Sequence, residues 1–137
     1  MTTAKPLPSP VIPSSPTSLP QFQRDQLVQY MLSLINKDRQ AAGLLPVILG
    51  TNNASQKHAE EMLANGYLSH WGLDGMKPYI RYTLAGGYNY EAENISAPDS
   101  FINENGLYAK KDILQRLGEV EQGLMDSPGH KKNILNK

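Results

Sequence analysis

Apolar positions along this chain fall into helical stripes separated by irregular stretches. Leu27, Tyr30, Met31 and Leu34 recur at helical spacing, with Ile35 widening the stripe. This predicts an amphipathic helix starting near Gln21. Ser18 with Gln21 three residues on forms a capping-box pattern, Pro20 suits a first turn, and Gly43 supplies a C-terminal stop. Residues 44–49, Leu-Leu-Pro-Val-Ile-Leu, are too short for a helix and contain Pro46. They are expected to run extended and buried. A second helix is predicted from about Asn52 to Asn65, with Ala54, His58 and Met62 on one side and Gly66 ending it. A last helix is predicted from about Tyr108 to Asp126, its inner stripe marked by Ile113, Leu117, Val120 and Leu124. Pro128 and Gly129 are expected to stop it.

Between the second and last helices, residues 67–100 are rich in Gly, Tyr and Asn, with one short helix expected after Pro78. An irregular connection of this length inside a domain usually carries function. Residues 1–20 hold six of the ten prolines and a single charge, Lys5. They read as a Pro/Ser-rich flexible linker sampling extended conformations, with a Pro-rich partner motif as the alternative. The domain proper is then 21–137. Asn133-Ile134-Leu135 looks like the entrance to another buried element, yet the sequence ends at Lys137. A segment that completes a sheet is expected to be absent.

Composition narrows the function classes. A length of 137 residues fits one domain. Thirteen basic and thirteen acidic side chains cancel, so charge gives no case for nucleic acid or an anionic membrane. No apolar run approaches the roughly 18 residues or more that a spanning helix needs. The opening Met1-Thr2-Thr3-Ala4-Lys5 has no apolar signal core, so any export signal is expected to be removed or never to have existed. The absence of cysteine excludes disulfides and thiolate ligands and leaves the compartment open.

Candidate chemistry concentrates in three segments: Ser69-His70-Trp71, Glu91-Ala92-Glu93-Asn94-Ile95, and Ser127-Pro128-Gly129-His130. His70 stands beside the only tryptophan, as a cleft histidine or a surface histidine packed on Trp71. Strand-like alternation places Glu93 and Ile95 on one face. A carboxylate on an apolar face is costly unless paired or metal-bound, and a rim salt bridge is the simpler reading. His130, just past the expected helix stop, either binds a metal, orients a water, or caps exposed carbonyls. Two imidazoles and a carboxylate together match a divalent transition-metal site, or a general acid and base pair.

Other residues weigh less. His58-Ala-Glu-Glu-Met62 lacks the second histidine of a helical zinc-protease motif, so His58 is expected to be a hydrogen-bonded core histidine. Glu121 is read first as a solvated helix face and second as a cleft residue. Neither Ser69 nor Ser127 has a glycine-flanked elbow, and Ser127 is better explained as a helix-end residue. Tyr67, Tyr79, Tyr82, Tyr88 and Tyr90 offer rings for packing, or for a cleft that holds a sugar or lipid.

His58-Ala-Glu-Glu-Met62, Tyr67-Leu-Ser-His70, Ala92-Glu-Asn-Ile95 and the block from Gly123 to Leu135 occur in this order along the chain. Together they resemble the CAP superfamily (cysteine-rich secretory, antigen five and pathogenesis-related proteins) in its cysteine-free bacterial form, over about Gln21 to Lys137. The resemblance implies an α+β fold, a three-layer α-β-α sandwich, helix-rich here because the closing strands after Asn-Ile-Leu are missing. It also implies export, and a cleft of histidines and glutamates that binds divalent metal such as zinc in some members. By motif, His70 falls on the first cleft histidine, Glu93 on the cleft glutamate, and His130 on the histidine typical of bacterial members. Where the family often has a second glutamate, this chain offers Ser127, with Glu121 a turn or more away. Leu124 replaces a common tryptophan.

Three functions follow as expectations. The first is an exported binding module whose cleft, with metal ligands His70, Glu93 and His130 and lining residues Trp71, Asn94, Glu121 and Ser127, holds Zn²⁺ or another divalent cation. On this reading it also takes a small apolar or extracellular ligand or a cell-envelope component, without catalysis. The second is a hydrolase in which the metal, or a His70/Glu93 pair, activates water against a peptide or ester bond. The third is a structural or interaction domain with a vestigial cleft.

Overall fold

The computed structural model describes residues 21–96 and 110–137; the Pro/Ser-rich segment 1–20 and the expected helix start at Tyr108 lie outside them. Five helices follow in order: α1 (Gln21–Ala41), α2 (Ala54–Asn65), α3 (Pro78–Leu84), α4 (Lys110–Asp126) and α5 (Pro128–Ile134). Helix α1 packs on α4, α4 on α5, and α2 on α3. Arg24 and Glu60, 3.1 Å apart, link α1 to α2.

Most helix ends follow the local chemistry of the sequence. Helix α1 closes with Gly43 at φ 73°, and α2 with Gly66 at φ 64°, whose N–H donates to the Met62 carbonyl. Glycine adopts this left-handed conformation without a Cβ penalty. Pro78 opens α3, where its missing N–H removes no helical bond.

The last helix boundary corrects the sequence reading. Pro128 and Gly129 do not end the helical run; they begin α5, with Pro128 at its first turn. Ser127 is the hinge, extended at φ −92° and ψ 117°, and its carbonyl accepts from Lys131 N at 2.8 Å. Proline breaks the preceding helix because it lacks an N–H, and it initiates the next one for the same reason. His130 therefore stands inside a helix. Asn133-Ile134-Leu135 is the end of that helix, and Ile134 is buried.

Residues 44–49, expected to run extended and buried, form no regular secondary structure, and from Leu45 onward they are exposed. Leu45 is 83% and Ile48 90% exposed. The backbone of Val47 is satisfied by one side chain: Asn36 Nδ2 donates to the Val47 carbonyl at 2.9 Å, and Val47 N donates to Asn36 Oδ1 at 2.8 Å. An amide side chain thus does locally what a neighbouring strand would do. Among the described residues no β-strand forms, so the β layer of the expected sandwich is not built by them.

Buried side chains are few among the described residues. Ala54 and Ile134 are the apolar ones, and Arg39, His58 and Glu121 the polar ones.

Candidate functional site

The 67–76 loop is pinned to α2 from below. His58, 2% exposed, meets the Ser69 carbonyl through Nε2 at 2.7 Å and Glu61 Oε2 through Nδ1 at 3.1 Å. Tyr67 donates its hydroxyl to the same Glu61 oxygen at 2.7 Å. Leu73 N donates to Glu61 Oε1 at 3.3 Å. The Tyr67 hydroxyl, more than any other contact, holds the Glu61 carboxyl below the usual carboxylate range, and burial pushes Tyr67 itself up. His58 is the hydrogen-bonded core histidine that its place on the apolar stripe predicts. It sets the position of the residue next to Ser69, which is His70.

His70 and Glu93, 23 positions apart, come together. Nδ1 of His70 lies 3.0 Å from Glu93 Oε1. With a carboxylate as acceptor, Nδ1 carries the ring proton. The side chain is 45% exposed, and Nε2 has no hydrogen-bond partner among the described residues.

The residue that organises this pair is Arg81 on α3. Its Nη2 donates to Glu93 Oε1 at 3.1 Å and Oε2 at 2.8 Å, with both side chains largely buried. Its Nη1 donates to the carbonyls of His70 at 2.8 Å and Met76 at 3.0 Å. One guanidinium therefore joins α3, the loop and the carboxylate. Such a charge-assisted fork is stronger and more directional than a neutral hydrogen bond. Sequence reasoning missed Arg81. The available signal was a lone cation in the apolar and aromatic run Tyr79-Ile80-Arg81-Tyr82.

The remaining expected residues separate. Asn94 lines cavities on both sides of the 91–94 segment. It also ties that segment to α5: Asn94 Nδ2 donates to the His130 carbonyl at 3.1 Å, and Asn133 Nδ2 donates to Asn94 Oδ1 at 2.7 Å. The contact His130 makes here is through its main chain. Trp71 is exposed, with Lys77 Nζ 5.1 Å from its ring centroid, and it lines neither cavity. Ser127 and Glu121 line neither cavity too.

Glu121 is not a solvated face residue. It is 3% exposed, and neither carboxylate oxygen has a hydrogen-bond partner. Burial, with the nearby charge of Asp38 on α1, pushes its carboxyl up to about 7. The helical stripe alone places it outside because it is one position from Val120. The α1–α4 contact brings it in.

Among the described residues, no group of three or more His, Cys, Asp or Glu side chains is placed to hold a metal ion. The chemistry of the donors agrees. Both oxygens of Glu93 already accept from Arg81, so a permanent cation stands where a metal would bind. His70 Nε2 is left as a single open donor. The residues as arranged do not fit a resident divalent ion.

Above Glu93 lies a cavity of about 360 Å³, lined by the start of α2 (Ala54, Ser55), by Pro78 and Tyr82 of α3, and by residues 89–94. Tyr82 and Tyr90 meet edge to face with ring centroids 5.9 Å apart. The Tyr82 ring lies so close to Gly87 that any Cβ there would collide with it. Asn52 Nδ2 holds this end of α3 through the Tyr82 carbonyl at 3.0 Å. Burial, then the charge of Glu93, pushes the Tyr90 hydroxyl above its ordinary value, so it stays a neutral donor.

No helix among the described residues is long and apolar enough to cross a membrane. A family profile described as CAP, cysteine-rich secretory protein family, matches residues 32–137. No curated protein and no solved structure matches the chain.

Proposed function

The chain belongs to the CAP family of cysteine-rich secretory proteins, and from that premise we propose an exported, non-catalytic binding domain whose cleft beside Glu93 captures a small extracellular ligand or cell-envelope component. The observation that supports this reading is the Arg81–Glu93 fork. A carboxylate acting as base or nucleophile needs a free lone pair aimed at substrate. Glu93 instead directs its oxygens at Arg81 and at the His70 ring. The Ser69 hydroxyl accepts from Trp71 N at 3.0 Å, and among the described residues no base accepts a hydrogen bond from it. What the arrangement supplies is a rigid wall under an open, mixed polar and aromatic cavity, which is the chemistry of recognition.

The test is turnover. The full chain is incubated with a chromogenic acetate ester and a fluorogenic peptide, beside the His70→Ala variant, with and without zinc. The expected result is no rate above buffer for either protein.

One observation favours a second reading, the hydrolase. His70 holds its proton toward Glu93 at 3.0 Å and leaves Nε2 open, as an imidazole general base would. Turnover that disappears in His70→Ala would install that reading in place of the first.

A further inference from the structure

We infer that the cavity between α2, α3 and residues 89–94 is a binding subsite for a neutral saccharide, an inference that rests on the binding role proposed above. Its volume of about 360 Å³ falls within the range of about 300–1,000 Å³ typical of small-molecule sites.

The polar groups around it divide into two sets. Glu93 and Asn94 are committed to the protein, to Arg81, His70, Asn133 and the His130 carbonyl. The side chains of Ser55, Tyr82, Asn89, Tyr90 and Glu91 line the same cavity and have no hydrogen-bond partner among the described residues. The fold thus uses one set and leaves the other without a partner among the described residues.

Asn89 adds an independent mark. It is the one non-glycine residue with positive φ (58°) among the described residues. Glycine adopts that conformation more cheaply, and asparagine is among the few side-chain-bearing residues that reach it readily. Here the retained side chain is an amide at the cavity wall.

The lining selects among ligand classes. An alkyl chain would bury these hydroxyl, amide and carboxylate groups without partners. An anion would meet Glu91, and no Lys or Arg among the described residues lines the cavity to receive it. A neutral polyhydroxyl ligand answers each group. It donates to Glu91 and the tyrosine oxygens, accepts from the Asn89 amide, and lays its C–H faces on the angled rings of Tyr82 and Tyr90, which are 62° apart.

The experiment titrates the ¹⁵N-labelled full chain with N,N′-diacetylchitobiose, and separately with laurate and tetramethylammonium, following amide shifts. Saturable shifts at residues 89–91 and at the Asn89 side-chain amide are expected from the disaccharide alone. Asn89→Gly keeps the backbone conformation and Tyr90→Phe keeps the ring, so both should fold; each should bind about fivefold more weakly, the effect of one lost hydrogen bond. Shifts at these residues from laurate or tetramethylammonium but not from the disaccharide overturn the saccharide assignment and leave the binding role standing. Residues 89–91 unmoved by all three probes overturn both.

Discussion

Arg39 on α1 donates through Nη1 to the main-chain carbonyl of Ile134, 95 positions away, at 2.7 Å. The same nitrogen reaches the Asn136 carbonyl at 2.7 Å, and Nε reaches Leu45 at 2.9 Å. One buried guanidinium therefore satisfies carbonyls left open at the end of α5 and in the irregular 44–50 segment, at a helix terminus that favours a cation. Arg39→Ala should lower stability by about 2–3 kcal/mol, because it strands the buried Ile134 carbonyl and removes two part-buried bonds with it. Arg39→Lys should recover only part of this, since a single ammonium nitrogen cannot span the separate positions that Nε and Nη1 reach. Urea midpoints for the two variants check the claim; a lysine variant as stable as the parent contradicts it.

Arg81 and Glu93 should behave as one unit. Removing either leaves its largely buried partner unpaired, so Glu93→Gln and Arg81→Gln should each cost about 2–4 kcal/mol. The double variant should lose clearly less than the sum. A thermal-unfolding cycle measures the coupling, and additive losses would mean the fork contributes nothing beyond its separate contacts.

Stability should depend on the protonation of Glu121. Its carboxyl holds a proton to about 7 in the folded protein, against 4.5 for an unperturbed glutamate. The folded state therefore binds the proton more tightly than the unfolded one. The resulting stability is fully present below pH 4.5 and is lost as pH rises through about 7, amounting to roughly 3 kcal/mol at most. Glu121→Gln should flatten the profile and be more stable than the parent at pH 8. Denaturation at pH 5 and pH 8 tests this; an unchanged slope in the variant assigns the titration to another group.

Zinc separates the metal expectation from the binding reading. A divalent ion on His70 and Glu93 has to displace Arg81, so zinc should leave the melting temperature of the parent unchanged. In Arg81→Gln the carboxylate is released, and zinc should stabilise that variant. A ligand at 100 times its Kd adds about 2.7 kcal/mol, well within what scanning calorimetry resolves. Stabilisation of the parent by zinc would show that Arg81 yields to the metal.

Short-range features of the chain were legible before any coordinates. Gly66 after Asn65 and Pro78 before Tyr79 mark real helix boundaries, because each rests on the conformational limits of one residue. His58 was readable as a core histidine from the helical spacing it shares with Ala54 and Met62. Pro128 was misread because a proline that breaks one helix is equally fitted to start another. Which of these happens depends on whether the following turn finds packing, and Ile134 supplies it.

The sequence by itself determined where helices α1 to α4 lie, which family the motifs resemble, and that His70 and Glu93 are candidates for one site. Tertiary structure alone decided that Arg81 holds that carboxylate, that Glu121 is enclosed, and that Arg39 clasps the end of α5. The physical reason is one of range. Helix periodicity and turn chemistry act over a few residues. The electrostatic role of a charged side chain depends on what burial places beside it, and for Arg39 and Arg81 the partners are carbonyls or carboxylates that no spacing along the chain announces.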